Sequence, residues 1–127
     1  MTIALNDLEF ADCNVLETIK NDKSVTIKLS SAFYIPSSMF IHDIKLTISN
    51  WSIFSAYIYV SNSPFGVSDK KKLTDNTLEF FELIQEKECN NDDIVFRGFS
   101  KNSGQWMIYI FEKCEYEISV NEGRKSI

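Results

Sequence analysis

Few residues in this chain can carry covalent or acid–base chemistry: one histidine, His42, three cysteines, Cys13, Cys89 and Cys114, and eighteen carboxylates. General acid–base catalysis needs a base whose pKa is tuned and a partner that orients it. His42 has Asp43 beside it at the start of an alternating stretch. Adjacent side chains of a strand point to opposite faces, so the two cannot form a dyad. The cysteines are odd in number, far apart and in no C-x-x-C spacing, which argues for reduced, inert thiols rather than a disulfide framework or a zinc knuckle. The run Asn90-Asn91-Asp92-Asp93 offers the hard oxygens that calcium takes, but without EF-hand spacing, and it reads as a turn. Gly66, Gly98, Gly104 and Gly123 are isolated, so no phosphate-cradling loop is present. This inventory predicts no enzyme, no metal and no cofactor.

Charge is more informative than chemistry. Thirteen Lys and Arg against eighteen Asp and Glu leave a net charge of −5, with a pI near 4.8. That balance argues against nucleic acid or an anionic membrane as partner and for something basic. Lys70-Lys71-Lys72 is the one basic cluster, and it reads as part of a loop over 67–75. The acids are unevenly placed. Residues 75–122 hold eleven of them against Lys87, Arg97, Lys101 and Lys113, a net of −7 that leaves +2 for the remainder. If the last three or four strands are neighbours, this excess forms an acidic field on one flank, able to steer a basic protein into contact. Glu79, Glu82, Glu86, Glu88, Asp92 and Asp93 are the candidate partner-binding residues. Phe80, Phe81, Trp106, Tyr109 and Tyr116 lie among the acids as possible anchors or core.

The elements that must position these groups are strands. At 127 residues, 44% hydrophobic, with two prolines and four glycines, the chain is long enough to bury a core without staples, and the expectation is one domain over 1–127. Ser24-Val25-Thr26-Ile27-Lys28-Leu29-Ser30 alternates with period two, which puts Val25, Ile27 and Leu29 on one face. With the turn Asn21-Asp22-Lys23 it predicts a hairpin of 13–20 and 24–35. Further strands are predicted over 41–49, with Ile44, Leu46 and Ile48 inward, and over 51–60, with Ala56, Ile58 and Val60 opposite Tyr57 and Tyr59. Asn62, Pro64 and Gly66 end that strand. Strands over 94–99 and 106–111 should pair across Lys101-Asn102-Ser103-Gly104, and 114–120 should extend the last one or make another after a bulge near Glu112-Lys113. The tail 121–127 reads as loose.

Segment 77–88 is ambiguous. Its apolar residues Leu78, Phe80, Phe81, Leu83 and Ile84 spread around a helical wheel, so it reads as a strand with one bulge paired to 94–99, with a short helix as the alternative. The fold class is mainly β, an antiparallel β-sandwich or a strongly curved sheet built from hairpins. The start of the chain reaches Asp7 before any long apolar stretch, so no signal peptide is expected. No spanning helix is expected either, and the expected location is the cytoplasm.

The opening Leu5-Asn6-Asp7, the hairpin at Asn21-Asp22, the pair Phe33-Tyr34, and Ile44-x-Leu46-x-Ile48 running to Asn50-Trp51 form a pattern. With Ile94-Val95-Phe96-Arg97-Gly98-Phe99-Ser100 and Ser103-Gly104-Gln105-Trp106, it resembles small β-sandwich immunity proteins of bacterial polymorphic toxin and contact-dependent growth inhibition systems. The resemblance implies a cytosolic, non-enzymatic protein that binds one cognate toxin domain, often a nuclease. It implies no contact residues, because such interfaces diverge with the toxin. Carboxylates set where phosphates would lie could occupy the basic groove of such an enzyme. The competing reading is a carbohydrate- or small-molecule-binding sandwich using Trp51, Tyr57 and Tyr59.

Overall fold

The computed structural model describes residues 3–11, 13–61 and 68–120. Its strands are β1 (Leu8–Glu9), β2 (Cys13–Lys20), β3 (Ser24–Tyr34), β4 (Met39–Ser49), β5 (Ile53–Ser61), β6 (Ser68–Leu73), β7 (Phe81–Asn90), β8 (Asp93–Ser100), β9 (Trp106–Glu112) and β10 (Glu115–Val120). Short 3-10 turns occupy Leu5–Asp7 and Ile35–Ser37. The strands form one open antiparallel sheet in the order β10-β4-β3-β2-β7-β8-β9-β5-β6, with β1 added beside β3.

That order divides into two half-sheets. The first is β10-β4-β3-β2 and the second β7-β8-β9-β5-β6, joined among the described residues at Cys13↔Ile84 and Asn14↔Leu83. Their inward faces share one core: Val25, Ile27, Leu29, Ile44, Leu46 and Ile48 from the first, Ile84, Ile94, Phe96, Met107, Tyr109 and Phe111 from the second. This is the alternation the sequence predicted, one apolar face per strand turned inward. Aromatic rings fill the middle. Phe54 stacks on Phe111 at 4.8 Å, Trp51 tilts onto Phe111 at 5.3 Å, and Phe81 lies 4.7 Å from Tyr109. In β3 the buried positions switch from odd to even between Leu29 and Ala32. The facing residue of β4, Asp43, adopts a left-handed backbone (φ 56°), which twists the long hairpin at that level.

One expectation is corrected and two alternatives are settled. Segment 77–88 contains the expected strand paired with 94–99 and not a helix: β7 begins at Phe81 and carries two register shifts against β8 in place of one bulge, between Phe81 and Leu83 and between Ile84 and Glu86. These shifts explain the blurred periodicity, since each moves the following residues to the other face. Lys70-Lys71-Lys72 is not a loop but the middle of β6, paired with Tyr59, Ile58 and Tyr57 of β5. The last strand does not continue beside β9. Lys113, left-handed at φ 53°, sends the chain across to the far edge, where β10 pairs with β4. The stop expected over 62–66, the tail 121–127 and Glu122 lie outside the described residues.

The crossing is held by the β7–β8 turn. Lys113 N–H donates to Asp93 Oδ1 at 3.0 Å, and Cys114 N–H donates to the Asp92 carbonyl at 2.8 Å. The Cys114 thiol donates to the same carbonyl at 3.2 Å. Burial pushes this thiol up to about 11. Cys13 and Cys114 are buried and Cys89 half-buried, all as free thiols.

Gly98 sits where the β7 shift presses closest: a Cβ there would lie 2.0 Å from the Leu83 carbonyl oxygen and 2.9 Å from Ile84 Cα. Gly98→Ala should therefore destabilise the fold by about 1–3 kcal/mol, read as a lower urea midpoint. A second expectation concerns alkali. The unfolded Cys114 thiol ionises near 9 and the folded one near 11, so the unfolded chain releases a proton first and stability falls across that interval. Unfolding curves from pH 8 to 11 should show a steeper loss for the wild type than for Cys114→Ser.

Candidate functional site

The six candidate carboxylates do not form one group. Glu79, just ahead of β7, is half-buried and structural: its Oε1 accepts the hydroxyls of Ser100 at 2.5 Å and Ser103 at 2.7 Å. Its backbone carbonyl accepts the buried Tyr109 hydroxyl, whose pKa is raised by burial and then by the Glu79 charge. Together with Phe80 N–H donating to Asn102 Oδ1 at 3.1 Å, these bonds fasten the start of β7 to the β8–β9 turn. Asp93 is committed to the crossing at Lys113.

Glu86 and Glu88 are exposed on the outward face of β7, but Arg97 of β8 lies between them. Its Nη1 is 3.5 Å from the Glu86 carboxylate and 3.0 Å from that of Glu88. One positive charge thus offsets part of two negative ones. Exposed ion pairs of this kind add little stability, of order 0–1 kcal/mol. Glu82, exposed at the first register shift, and Asp92, exposed at the turn tip, complete the set. Lys87 points the other way. Burial lowers its pKa, opposed by the charges of Cys89, Glu9 and Asp7.

The wider acidic excess is divided as well. β7, β8 and β9 are neighbours, but Glu115 and Glu117 travel with β10 to the opposite edge of the sheet. The expected single flank is therefore a β7-centred patch plus a separate pair of acids, with Glu115 accepting from Asn50 Nδ2 at 3.1 Å. Of the candidate anchors, Phe81 and Tyr109 are core and Phe80 and Trp106 half-buried. Tyr116 is partly exposed and accepts the Leu5 N–H on its hydroxyl at 3.0 Å. The aromatic trio of the small-molecule reading is not assembled. Trp51 is buried against Phe54 and Phe111, whereas Tyr57 and Tyr59 share the outward face of β5, where Lys70 Nζ lies 4.2 Å over the Tyr57 ring. His42 is exposed on β4. No group of three or more His, Cys, Asp or Glu could hold a metal ion among the described residues. None of their helices is long and apolar enough to cross a membrane.

The sequence reading missed the tip of the β3–β4 hairpin. Met39 and Phe40 are 64% and 61% exposed and Ile35 is 43% exposed. Phe40 packs edge-on against Phe33 with ring centroids 5.3 Å apart. An open groove lined by Glu9, Ile35, Glu86 and Lys87 runs from this tip to β7, and a neighbouring one is lined by Glu9, Phe33 and Phe40. The signal was present in Phe33-Tyr34-Ile35 and Met39-Phe40-Ile41, apolar runs on both sides of Pro36-Ser37-Ser38, too close to a turn for all of them to be core.

The roles of Glu79 and Glu82 separate in a stability measurement. Glu79→Ala strips an acceptor from the buried Ser100 hydroxyl and should cost about 1–3 kcal/mol, whereas Glu82→Ala should stay within about 0.5 kcal/mol. Paired denaturant titrations check both. No family model matches this chain, and no curated protein or solved structure is significantly similar to it.

Proposed function

We propose that this chain is a non-enzymatic, cytosolic immunity protein that binds and neutralises a cognate toxin domain with a basic cleft, such as a nuclease. One observation carries the reading: Ile35 of the exposed apolar tip lines an open groove with Glu9 and with Glu86 of the carboxylate-bearing strand β7, and Phe40 lines a neighbouring groove with Glu9. Met39, Phe40 and Ile35 supply surface that a partner can desolvate, and Glu9, Glu82, Glu86 and Glu88 supply charge that attracts a basic one. Tight protein binding needs both, because buried area alone does not set affinity, and hot spots are large side chains ringed by polar ones. The carboxylates would take the place of substrate phosphates in the cleft. Asp93 and Glu79 contribute by holding the scaffold rather than by touching the partner.

The test is co-expression with the basic domain encoded in the neighbouring reading frame, followed by pull-down and binding kinetics. The triple change Glu82→Lys, Glu86→Lys and Glu88→Lys should slow association about tenfold or more at low salt, with the difference shrinking as salt is added. Phe40→Ala should mainly speed dissociation. A cognate domain whose binding ignores both variants would remove the site, and a neighbouring frame with no basic domain would remove the function.

A further inference from the structure

The outward face of the second half-sheet is apolar where a solvated face would be polar. β9 buries Met107, Tyr109 and Phe111 in the core and sets Trp106, Ile108 and Ile110 on the other side, half-buried. In cross-strand register, β8 places Val95 beside Ile110 and Phe99 beside Trp106, the last two in edge contact at 5.2 Å. β5 adds Tyr57 and Tyr59 on the same face, and Ile53, 51% exposed, at its end. Near-continuous apolar runs such as 106–111 belong to strands covered on both faces, and an apolar patch of this extent on a soluble chain marks an interaction surface.

The charges at its borders say what covers it. β9 is the middle strand of β7-β8-β9-β5-β6. Centred on it, one row of cross-strand partners reads Glu86, Arg97, Ile108, Tyr57, Lys72. Acid stands on the β7 border, joined by Glu88. Base stands on the β6 border, where Lys70 shares the face through its pairing with Tyr59. We infer that this face is the interface of a symmetric dimer of the chain, with the two-fold axis running along β9 through Ile108.

Rotation about that axis sets Ile108 on the partner's Ile108 and Glu86 against the partner's Lys72. That acid–base pair is made twice, as an isologous contact requires. An axis across the strands would set Glu86 on Glu86 and Lys72 on Lys72, so the charges select one of the two ways of stacking. Aligned stacking also agrees with the way sheets pack face to face. Five strands at about 4.8 Å and some six residues at about 3.3 Å give about 500 Å² per copy. The pair buries about 1,000 Å², near the lower limit of specific interfaces. The dimer is accordingly an exchanging one, as interfaces near that limit are often transient. Because Glu86 also borders the groove at the hairpin tip, self-association and capture of a basic partner compete for it.

Sedimentation velocity on the chain alone, from about 1 to 300 μM at low salt, should show a concentration-dependent dimer that weakens as salt rises. Ile108→Glu should make it monomeric. Two charge swaps keep the test valid if that variant misfolds: Lys70→Glu with Lys72→Glu gives an all-acid face, and Glu86→Lys with Glu88→Lys an all-basic one. Each should lose at least tenfold in self-association, and a mixture of the two should form the heterodimer. A wild type monomeric throughout the range, a dimer indifferent to Ile108→Glu, or swapped chains that fail to pair would each overturn the proposal. Protection of the face within a monomer, read by hydrogen exchange, would assign it to the chain's own segments instead. Since no toxin domain is present, failure here leaves the binding reading of the hairpin tip standing.

Discussion

Among the described residues, two pairs, Cys13–Ile84 and Asn14–Leu83, join the half-sheets by backbone pairing. So narrow a seam cannot hold ten strands in register, and the fold depends on removing the two inward faces from water together. Each strand gives that common interior only alternate residues, so each loses its value if the other half is absent. The seam also dictates local chemistry. Register shifts flank Leu83 and Ile84, the β7 backbone moves against β8 there, and only a residue without a side chain fits at Gly98.

Most of the strands were legible because their physics is local. Val25-x-Ile27-x-Leu29 and Ile44-x-Leu46-x-Ile48 announce a half-buried face by period alone, and Asn21-Asp22-Lys23 and Asn90-Asn91-Asp92-Asp93 announce the turns beside them. What escaped depends on partners far along the chain. Nothing in Cys114-Glu115-Tyr116 says that β10 will pair with β4 rather than lie beside β9; the reversal at Lys113 is fixed by Asp92 and Asp93, some twenty residues earlier. The lysine run looked like a loop because a sheet border tolerates, and even benefits from, repeated charge that blocks stray pairing.

The candidate site shows the same division. Counting charges found the acidic third of the molecule, but could not tell a carboxylate that fastens a turn, such as Glu79, from one that faces outward, such as Glu82. Nor could it see Arg97 sitting between Glu86 and Glu88. The apolar tip at Met39 and Phe40 went unread because hydrophobic residues in a β protein are assigned inward by default, and only exposure in the folded state separates an anchor from core. The proposed function rests on surfaces, which a sequence encodes less directly than it encodes strands.

The amino-terminal turn is tied to the last strand by a bond between Leu5 and Tyr116, 111 residues apart, and Asn50 reaches Glu115 across 65. A chain emerging from the ribosome therefore carries β4 with one side unsatisfied until β10 has been made. Such topologies fold slowly, because distant segments must find each other before the gain arrives. Slow maturation would set a lag between synthesis of the chain and the appearance of its folded surfaces.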